Sequence, residues 1–295
     1  MATLKEIRDR RASILSTRQI TSAMKMVAAS KLRKAQQAIV RFRPYVEKLH
    51  EILASVADSL KDDKDNRYAV QRDKERILLV LITSNKGLCG AFNSNVIKAS
   101  IQRALSRYGD QMMAHQVDFI SIGKKGYDFL RKKGYHVIFN GSDIFDELSY
   151  EGVSEIAEKI MKLYTDEEYD QVDIIYNLFK NAATQILTEE QFLPIQLRKM
   201  AEEQDVSRNV DYIFEPCKRY IVEELIPRSL KLQFYRAILD SHAAEHGARM
   251  TAMHQATDNA TELLKELSLQ YNKARQAAIT KEINEIVGGA EALKG

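Results

Sequence analysis

Roughly the last seventy residues of the 295-residue chain carry a repeat that constrains how the whole chain can fold. Uncharged residues recur there at alternating spacings of four and three, which is the pattern of a coiled coil. A helix of about 65 residues is roughly 100 Å long, so one globular core cannot cover it and a partner helix is predicted. The repeat contains no proline and one glycine, Gly247. Its members are Leu239, Ala243, His246, Met250, Met253, Thr257, Ala260, Leu264, Leu267, Tyr271, Ala274 and Ala278.

The partner helix is predicted at the opposite end of the chain. Thr3 and Glu6 have the spacing of a capping box at its start, and Pro44 predicts a kink or a local break. Several of its repeat positions are small, which lets two helices approach closely. The alternative is that both helices belong to an ordinary bundle. The uncharged rows are Ile7, Ile14, Thr21, Ala28, Ala35, Phe42, Leu49 and Val56, and then Leu4, Leu32, Ile39, Val46, Leu53 and Leu60.

Between the two helices the hydrophobic pattern changes. Ile77–Thr83 is a continuous apolar run, typical of a strand buried on both faces. Strand and helix patterns then alternate, which favours an open Rossmann-like sheet. Further strands are predicted over Gln116–Ile122, Tyr135–Phe139, Val172–Phe179 and Gln185–Pro194, and helices over Ser94–Tyr108, Lys125–Lys133 and Ser154–Tyr164.

The predicted fold class is therefore an α/β domain plus a long α-helical coiled coil. The N- and C-terminal helices form an antiparallel shaft, and the Rossmann-like domain is inserted between them. The predicted segments are an N-terminal coiled-coil helix (1–60), a linker (61–75), the α/β domain (76–195), a return linker (196–215) and a C-terminal coiled-coil helix (216–293).

Charge is unevenly distributed along the chain. The net charge is +3, whereas residues 1–60 carry +7, so a basic helix could bind nucleic acid, anionic lipid or an acidic protein cavity. Nucleic acid is disfavoured because aromatic residues are not interleaved with the positive charge. No run of eighteen apolar residues and no secretory signal is found. Cys89 and Cys217 match no ligand pattern, which indicates a reducing compartment.

A glycine turn follows the first predicted strand, at Thr83–Asn93. Such a turn before a helix often binds phosphate. The spacing matches neither the dinucleotide fingerprint nor the P-loop, however, because Lys86 precedes the glycines. We therefore expect a structural turn that needs the backbone freedom of Gly87 and Gly90, with Asn93 or Ser94 capping the helix.

The segment His242–His246 has the inverted zinc-protease pattern, with two histidines on one helix face. His246 also occupies a position of the coiled-coil repeat, and the sequence offers no third ligand. We expect neither a metal site nor a cofactor here. No arrangement of catalytic residues stands out elsewhere, so none is predicted.

Three blocks of the sequence resemble the gamma subunit of F-type ATP synthases. The segment Ile20–Leu32 resembles the N-terminal signature of that family, and Gly87–Asn93 is similar to its central glycine turn. Ala256–Ala260, Tyr271–Thr280 and Glu285–Ala290 resemble its C-terminal signature. The absence of an inserted cysteine pair in the middle domain indicates a bacterial form.

The resemblance implies a central rotor shaft inside a hexamer of alpha and beta subunits. The α/β domain would join the epsilon subunit and the membrane ring of c subunits, on the cytoplasmic side of the bacterial inner membrane. Rotation driven by proton flow would then take each beta subunit through its nucleotide-affinity states. Catalysis would lie in the beta subunits, so this chain would have no catalytic residues.

The resemblance also implies where the shaft contacts the surrounding subunits. Arg275, Gln276 and Thr280 are candidate contacts on the second helix, and Met24 and Lys25 are candidates on the first. We expect Tyr271–Thr280 to pair with Ile20–Leu32, so that all five residues lie near one level of the shaft. Two other readings remain open, namely a free-standing coiled-coil adaptor and an α/β enzyme that binds nucleotide or zinc.

Overall fold

The computed structural model describes residues 3–56, 67–195 and 224–292. The helices are α1 (Leu4–Val56), α2 (Phe92–Arg107), α3 (Gly109–Met113), α4 (Lys124–Lys132), α5 (Tyr150–Thr165) and α6 (Ile226–Ala292). The strands are β1 (Ile77–Ile82), β2 (Val117–Ile122), β3 (Val137–Asn140), β4 (Gln171–Phe179) and β5 (Gln185–Leu193). The predicted return linker 196–215 and the first part of the predicted linker 61–75 lie outside the described residues, and the domain bounds stay a prediction.

The chain divides into two compact units. One consists of Met1–Ala28 with Met250–Gly295, and the other of Ala29–Arg249. Both α1 and α6 contribute to each unit, because neither helix is interrupted at the boundary.

The larger unit is built on a five-stranded sheet with the order β3-β2-β1-β4-β5. The first four strands run parallel, and β5 pairs antiparallel with β4. All six residues of β1 are buried, since helices cover both faces of the sheet. This explains the continuous apolar run, and the predicted Rossmann-like sheet is confirmed.

Alternate residues of β1 face two separate cores. Ile77, Leu79 and Leu81 pack with residues of α2, whereas Leu78, Val80 and Ile82 pack with residues of α5 and α6. The contribution of α6 comes from its first third, through Leu230, Phe234 and Ile238 among others, all of which are buried. The beginning of α6 is therefore part of the α/β core.

The smaller unit is an antiparallel pair of helices, formed by residues 4–28 of α1 and 250–292 of α6, which we call the helical pair. The predicted repeat is the buried seam of this pair. Its members Ile7, Thr21 and Ala28 on α1 are buried, as are Met253, Ala260 and Leu267 on α6. Ala278 is an exception and is exposed, because it lies about level with Leu4, where α1 begins.

The helix ends agree with their predicted signals in some places and not in others. Thr3 and Glu6 form a reciprocal capping box, with N–H to side-chain oxygen distances of 2.9 and 3.3 Å. Of the kink or local break predicted at Pro44, the break is wrong, since α1 continues through this residue, and the kink stays a prediction. Pro44 and Val40 are both exposed, so water can solvate the carbonyl that the missing N–H leaves unpaired. None of the described helices is apolar over a length that could cross a membrane.

Candidate functional site

The glycine turn joins the end of β1 to the start of α2 and is fixed by Asn93. The Asn93 side-chain carbonyl accepts a hydrogen bond from the Ser84 backbone N–H at 2.9 Å, and its amide donates to Ser84 Oγ at 2.8 Å. The capping prediction for Asn93 and Ser94 is wrong: the N-cap is Ala91 and no side chain caps this end. Asn93 lies inside the first turn of α2, and its amide is already used to hold the strand end.

Only one of the two predicted glycines needs its special backbone freedom. Gly90 has φ of 59°, in the left-handed region. Gly87 lies outside that region, and its neighbour Leu88 adopts φ of 63° instead, with its side chain exposed. The expectation for Gly87 was therefore wrong, because the strained position falls one residue later.

The polarity of the turn is opposite to that of a phosphate loop. Arg249 of α6 donates from Nη2 to the backbone carbonyls of Lys86 and Gly87, at 2.9 and 3.3 Å. A phosphate loop presents N–H groups to an anion, whereas these two carbonyls face a guanidinium cation. This geometry is unsuited to a phosphate group.

The crevice beside the turn is filled by α6. In a sheet of this order the switch point lies between β1 and β4, where α/β folds usually bind ligands. Ala244 of α6 packs there against Cys89 and Phe92, next to Phe179 at the end of β4. A Cβ atom on Gly247 would lie 3.2 Å from the Ala182 carbonyl oxygen, so the helix approaches the β4–β5 connection closely. The usual ligand crevice is thus the attachment site of a helix.

The two histidines of the zinc-like segment contact each other. The Nε2 atoms of His242 and His246 lie 3.1 Å apart, and Arg249 Nη1 lies 3.4 Å from His246 Nδ1. Since Arg249 can only donate, His246 Nδ1 accepts, and the hydrogen on His246 Nε2 is donated to His242. In residues 3–56, 67–195 and 224–292, no group of three His, Cys, Asp or Glu side chains could hold a metal ion.

Electrostatics keep both histidines neutral. Burial, together with the positive charges of Lys31 and Arg249, lowers the pKa of His242 to about 4. Burial likewise lowers the pKa of His246 to about 3, with His242 and Arg249 as further causes. Two neutral imidazoles beside fixed cations are a poor site for another cation.

In the helical pair, three contacts define the register. The ring of Tyr271 lies under the Arg11 guanidinium at 5.2 Å, the Thr21 and Thr257 hydroxyls are 2.8 Å apart, and Lys25 Nζ lies 3.3 Å from His254 Nδ1. The expected pairing of Tyr271–Thr280 with Ile20–Leu32 is therefore wrong.

The five predicted contact residues consequently lie at two levels. Lys25 is level with His254, whereas Arg275 is 21 residues further along α6, roughly 30 Å away at about 1.5 Å per residue. Arg275, Gln276 and Thr280 are all exposed, as is Met24, and Lys25 is half-buried. The small residues of the seam fit several registers, which is why the sequence did not determine this pairing.

The end of α6 carries an apolar surface that sequence reasoning missed. Tyr271 lies opposite Arg11, and only seven residues of α1 precede Arg11, so the last part of α6 extends beyond its partner. This part exposes four large apolar side chains at helical spacing, which we call the tip stripe: Ile279, Ile283, Ile286 and Val287. Their spacing of four, three and one was a visible signal of one helix face.

These features define a class of protein with a Rossmann-like domain inserted between the two halves of a long antiparallel helical pair. A family model described as ATP synthase matches residues 3–293. The chain is 57% identical to an ATP synthase gamma chain of Flavobacterium psychrophilum and 54% identical to one of Christiangramia forsetii, and each match covers all of both chains. The chain belongs to the ATP synthase gamma chain family.

Solved structures agree with this assignment. A chain from the central stalk and c-ring of Tetrahymena thermophila mitochondrial ATP synthase is 27% identical, with a TM-score of 0.59 over 80% of this chain and 99% of that one. A chain from Euglena gracilis mitochondrial ATP synthase has a TM-score of 0.66 at 23% identity, over 98% of this chain and 94% of that one, which supports the fold. The fold class expected from the sequence is confirmed.

Proposed function

We propose that this chain is the central rotor of an ATP synthase and that the tip stripe carries its inner bearing. A rotor couples proton flow through the membrane ring to the conformational cycle of the catalytic subunits. The observation that carries the proposal is an exposed apolar helix end in a chain of this family. Four large apolar residues on one exposed face favour enclosure by another protein over contact with water.

The composition of the tip suits a surface that must turn. Ile279, Ile283, Ile286 and Val287 offer dispersion contacts, which are weak individually and nondirectional. A surface of this kind has no preferred angle, whereas a ring of ion pairs would hold the shaft at particular positions. We therefore assign the tip stripe to an apolar sleeve formed by alpha and beta subunits.

We place the directional contacts, made by polar side chains, outside the tip stripe. Arg275 and Gln276 are exposed just before the tip stripe, and Thr280 is exposed next to its first residue. Met24 and Lys25 lie at the second level. A rotor can drive a partner only through contacts that differ between the partner's conformations. Arg275 suits this role because a guanidinium binds a carboxylate in one fixed geometry. We assign these five residues to contacts with the alpha and beta subunits.

The α/β domain would join the epsilon subunit and the c-ring, and the complex would lie on the cytoplasmic side of the bacterial inner membrane. The chain itself would be non-catalytic, with nucleotide chemistry in the beta subunits. The filled crevice and the carbonyl-lined turn support this assignment, since neither offers room or donors for a nucleotide. The +7 charge of residues 1–60 suits an acidic surrounding cavity.

Purification of the complex with tip variants tests this function. Ile283→Asp/Ile286→Asp places two carboxylates in the proposed sleeve, and we expect at least a fivefold loss of assembled complex or of its ATPase activity. The matched control Ile283→Leu/Ile286→Leu keeps an apolar surface and should stay within twofold of wild type. An aspartate variant that assembles and hydrolyses ATP normally would contradict the bearing. A wild-type chain recovered as a homodimer without alpha and beta subunits would support an adaptor instead.

A further inference from the structure

The first part of α6 is attached to the α/β domain in two physically different ways. Leu230, Phe234 and Ile238 are buried in the core beneath the sheet. Apolar burial of this kind resists separation, but it has no preferred direction. About three turns further on, Arg249 makes hydrogen bonds to the glycine turn, and these contacts are directional.

The orientation of Arg249 is fixed from its own helix. Its Nη1 group forms an ion pair with Glu245, one turn earlier, and both side chains are about nine-tenths buried, with 13% and 10% exposed. Its Nη2 group then spans to the Lys86 and Gly87 carbonyls, at 2.9 and 3.3 Å. A guanidinium is planar, so fixing one nitrogen on Glu245 also fixes the direction of the other.

The position of Arg249 gives this contact mechanical importance. Arg249 is the last residue of the larger unit, and Met250 is the first residue that α6 contributes to the helical pair. The helix runs without interruption through this point to Ala292. Rotation of α6 about its axis relative to the glycine turn would break both carbonyl hydrogen bonds at once.

From this geometry we infer that Arg249 is a positioning residue that transmits torque from the α/β domain to α6, an inference that rests on the proposed rotor function. The glycine turn is the surface on which it acts, and hydrogen bonds between the buried Ser84 and the half-buried Asn93 hold that surface in place. Loss of the contact would let α6 twist under load while the apolar core keeps the helix attached.

The test uses the complete ATP synthase in sealed vesicles. ATP hydrolysis is measured with an uncoupler present, and proton pumping is measured without it, so that their ratio reports coupling. In Arg249→Gln the uncoupled ATPase rate should stay within about twofold of wild type, while protons pumped per ATP fall at least fivefold. Arg249→Lys should give an intermediate ratio, since it keeps the charge but loses the planar pair of donors.

Arg236→Gln is the matched control, because Arg236 also forms an ion pair one turn away on α6, with Asp240 at 3.7 Å. It should keep the wild-type ratio. The inference is overturned if Arg249→Gln couples normally, if Arg236→Gln uncouples equally, or if hydrolysis and pumping fall in proportion, as a purely structural role predicts. Failure of the chain to assemble with alpha and beta subunits in wild-type form would instead overturn the rotor function itself.

Discussion

The contact between His242 and His246 predicts that the larger unit loses stability in mild acid. In the unfolded chain each histidine takes up a proton as the pH falls through about 6.5. In the folded protein the pKa values of His242 and His246 are lowered to about 4 and about 3, chiefly by burial. Between these values the unfolded state binds more protons, so the free energy of unfolding decreases as the pH falls.

The size of the effect follows from the width of the pH window. Each histidine that stays neutral costs about 1.4 kcal/mol per pH unit below 6.5, so two of them cost about 4 kcal/mol at pH 5. Asp240 acts in the opposite direction, because burial raises its pKa to about 6 and the folded protein binds that proton first. Protonation of Asp240 in the folded state adds about 1.4 kcal/mol to the free energy of unfolding between pH 6 and pH 5. The net decrease in the free energy of unfolding is therefore roughly 2–3 kcal/mol.

Denaturant unfolding of the full chain at pH 7.5 and pH 5.0 measures this loss. The sequence contains no tryptophan, and Tyr108, Tyr164 and Tyr176 are fully buried in the α/β unit, so tyrosine fluorescence reports its unfolding. His242→Gln/His246→Gln removes both titrations and should not lose stability between the two pH values. Burial raises the pKa of Asp240 and of Glu245, and each of these groups stabilises the folded state as the pH falls.

His254→Gln is the matched control for the pH experiment. His254 lies on the same helix but is exposed and belongs to the helical pair, so tyrosine fluorescence of the larger unit should show the wild-type loss of stability in this variant. The reasoning is refuted if the double glutamine variant loses as much stability as the wild-type protein between pH 7.5 and pH 5.0.

Three further predictions concern the turn and the shaft. Gly90→Ala should cost about 1 kcal/mol of unfolding free energy, because its φ of 59° is left-handed and no atom lies within 4 Å of the added Cβ; an unchanged denaturation midpoint would contradict this. Equilibrium dialysis of the purified chain with ATP should detect no stoichiometric site, and micromolar binding that is lost on changing Gly87 and Gly90 would refute the structural role of the turn. Arg275→Ala should lower ATP-driven proton pumping in vesicles while the purified chain stays helical, since a partly buried charged contact contributes roughly 1–3 kcal/mol. Unchanged pumping and ATPase activity would show that Arg275 is only a solvent-exposed residue with no contact to a partner subunit.

Local patterns in the sequence predicted most of the fold. The seam of the helical pair was predicted because burial follows helical spacing, and Met253, Ala260 and Leu267 are buried as expected. β1 was predicted because a strand covered on both faces consists of apolar residues alone. The short helix α3 was missed because its five residues include no buried side chain and so leave no periodic signal.

The candidate sites depend on contacts between distant residues, and here the sequence was less informative. Thr21 and Thr257 meet across 236 positions, and several other small pairs along the seam would fit as well. For Arg249 the sequence indicates only an ion pair with Glu245, one turn away on the same helix. Its contact with Lys86 and Gly87 depends on where α6 crosses the sheet, which no local pattern encodes.

The glycine turn explains how a Rossmann-like sheet can hold a helix at the edge where related folds bind a ligand. In a ligand-binding fold the turn after β1 presents N–H groups to an open crevice. Here Asn93 takes up the polar groups of Ser84, the turn presents the Lys86 and Gly87 carbonyls, and Arg249 fills the position opposite them. The same carboxyl edge of the sheet that could have held a small molecule therefore holds a helix. A domain can turn a shaft only if the rotational orientation of the shaft helix relative to the domain is fixed.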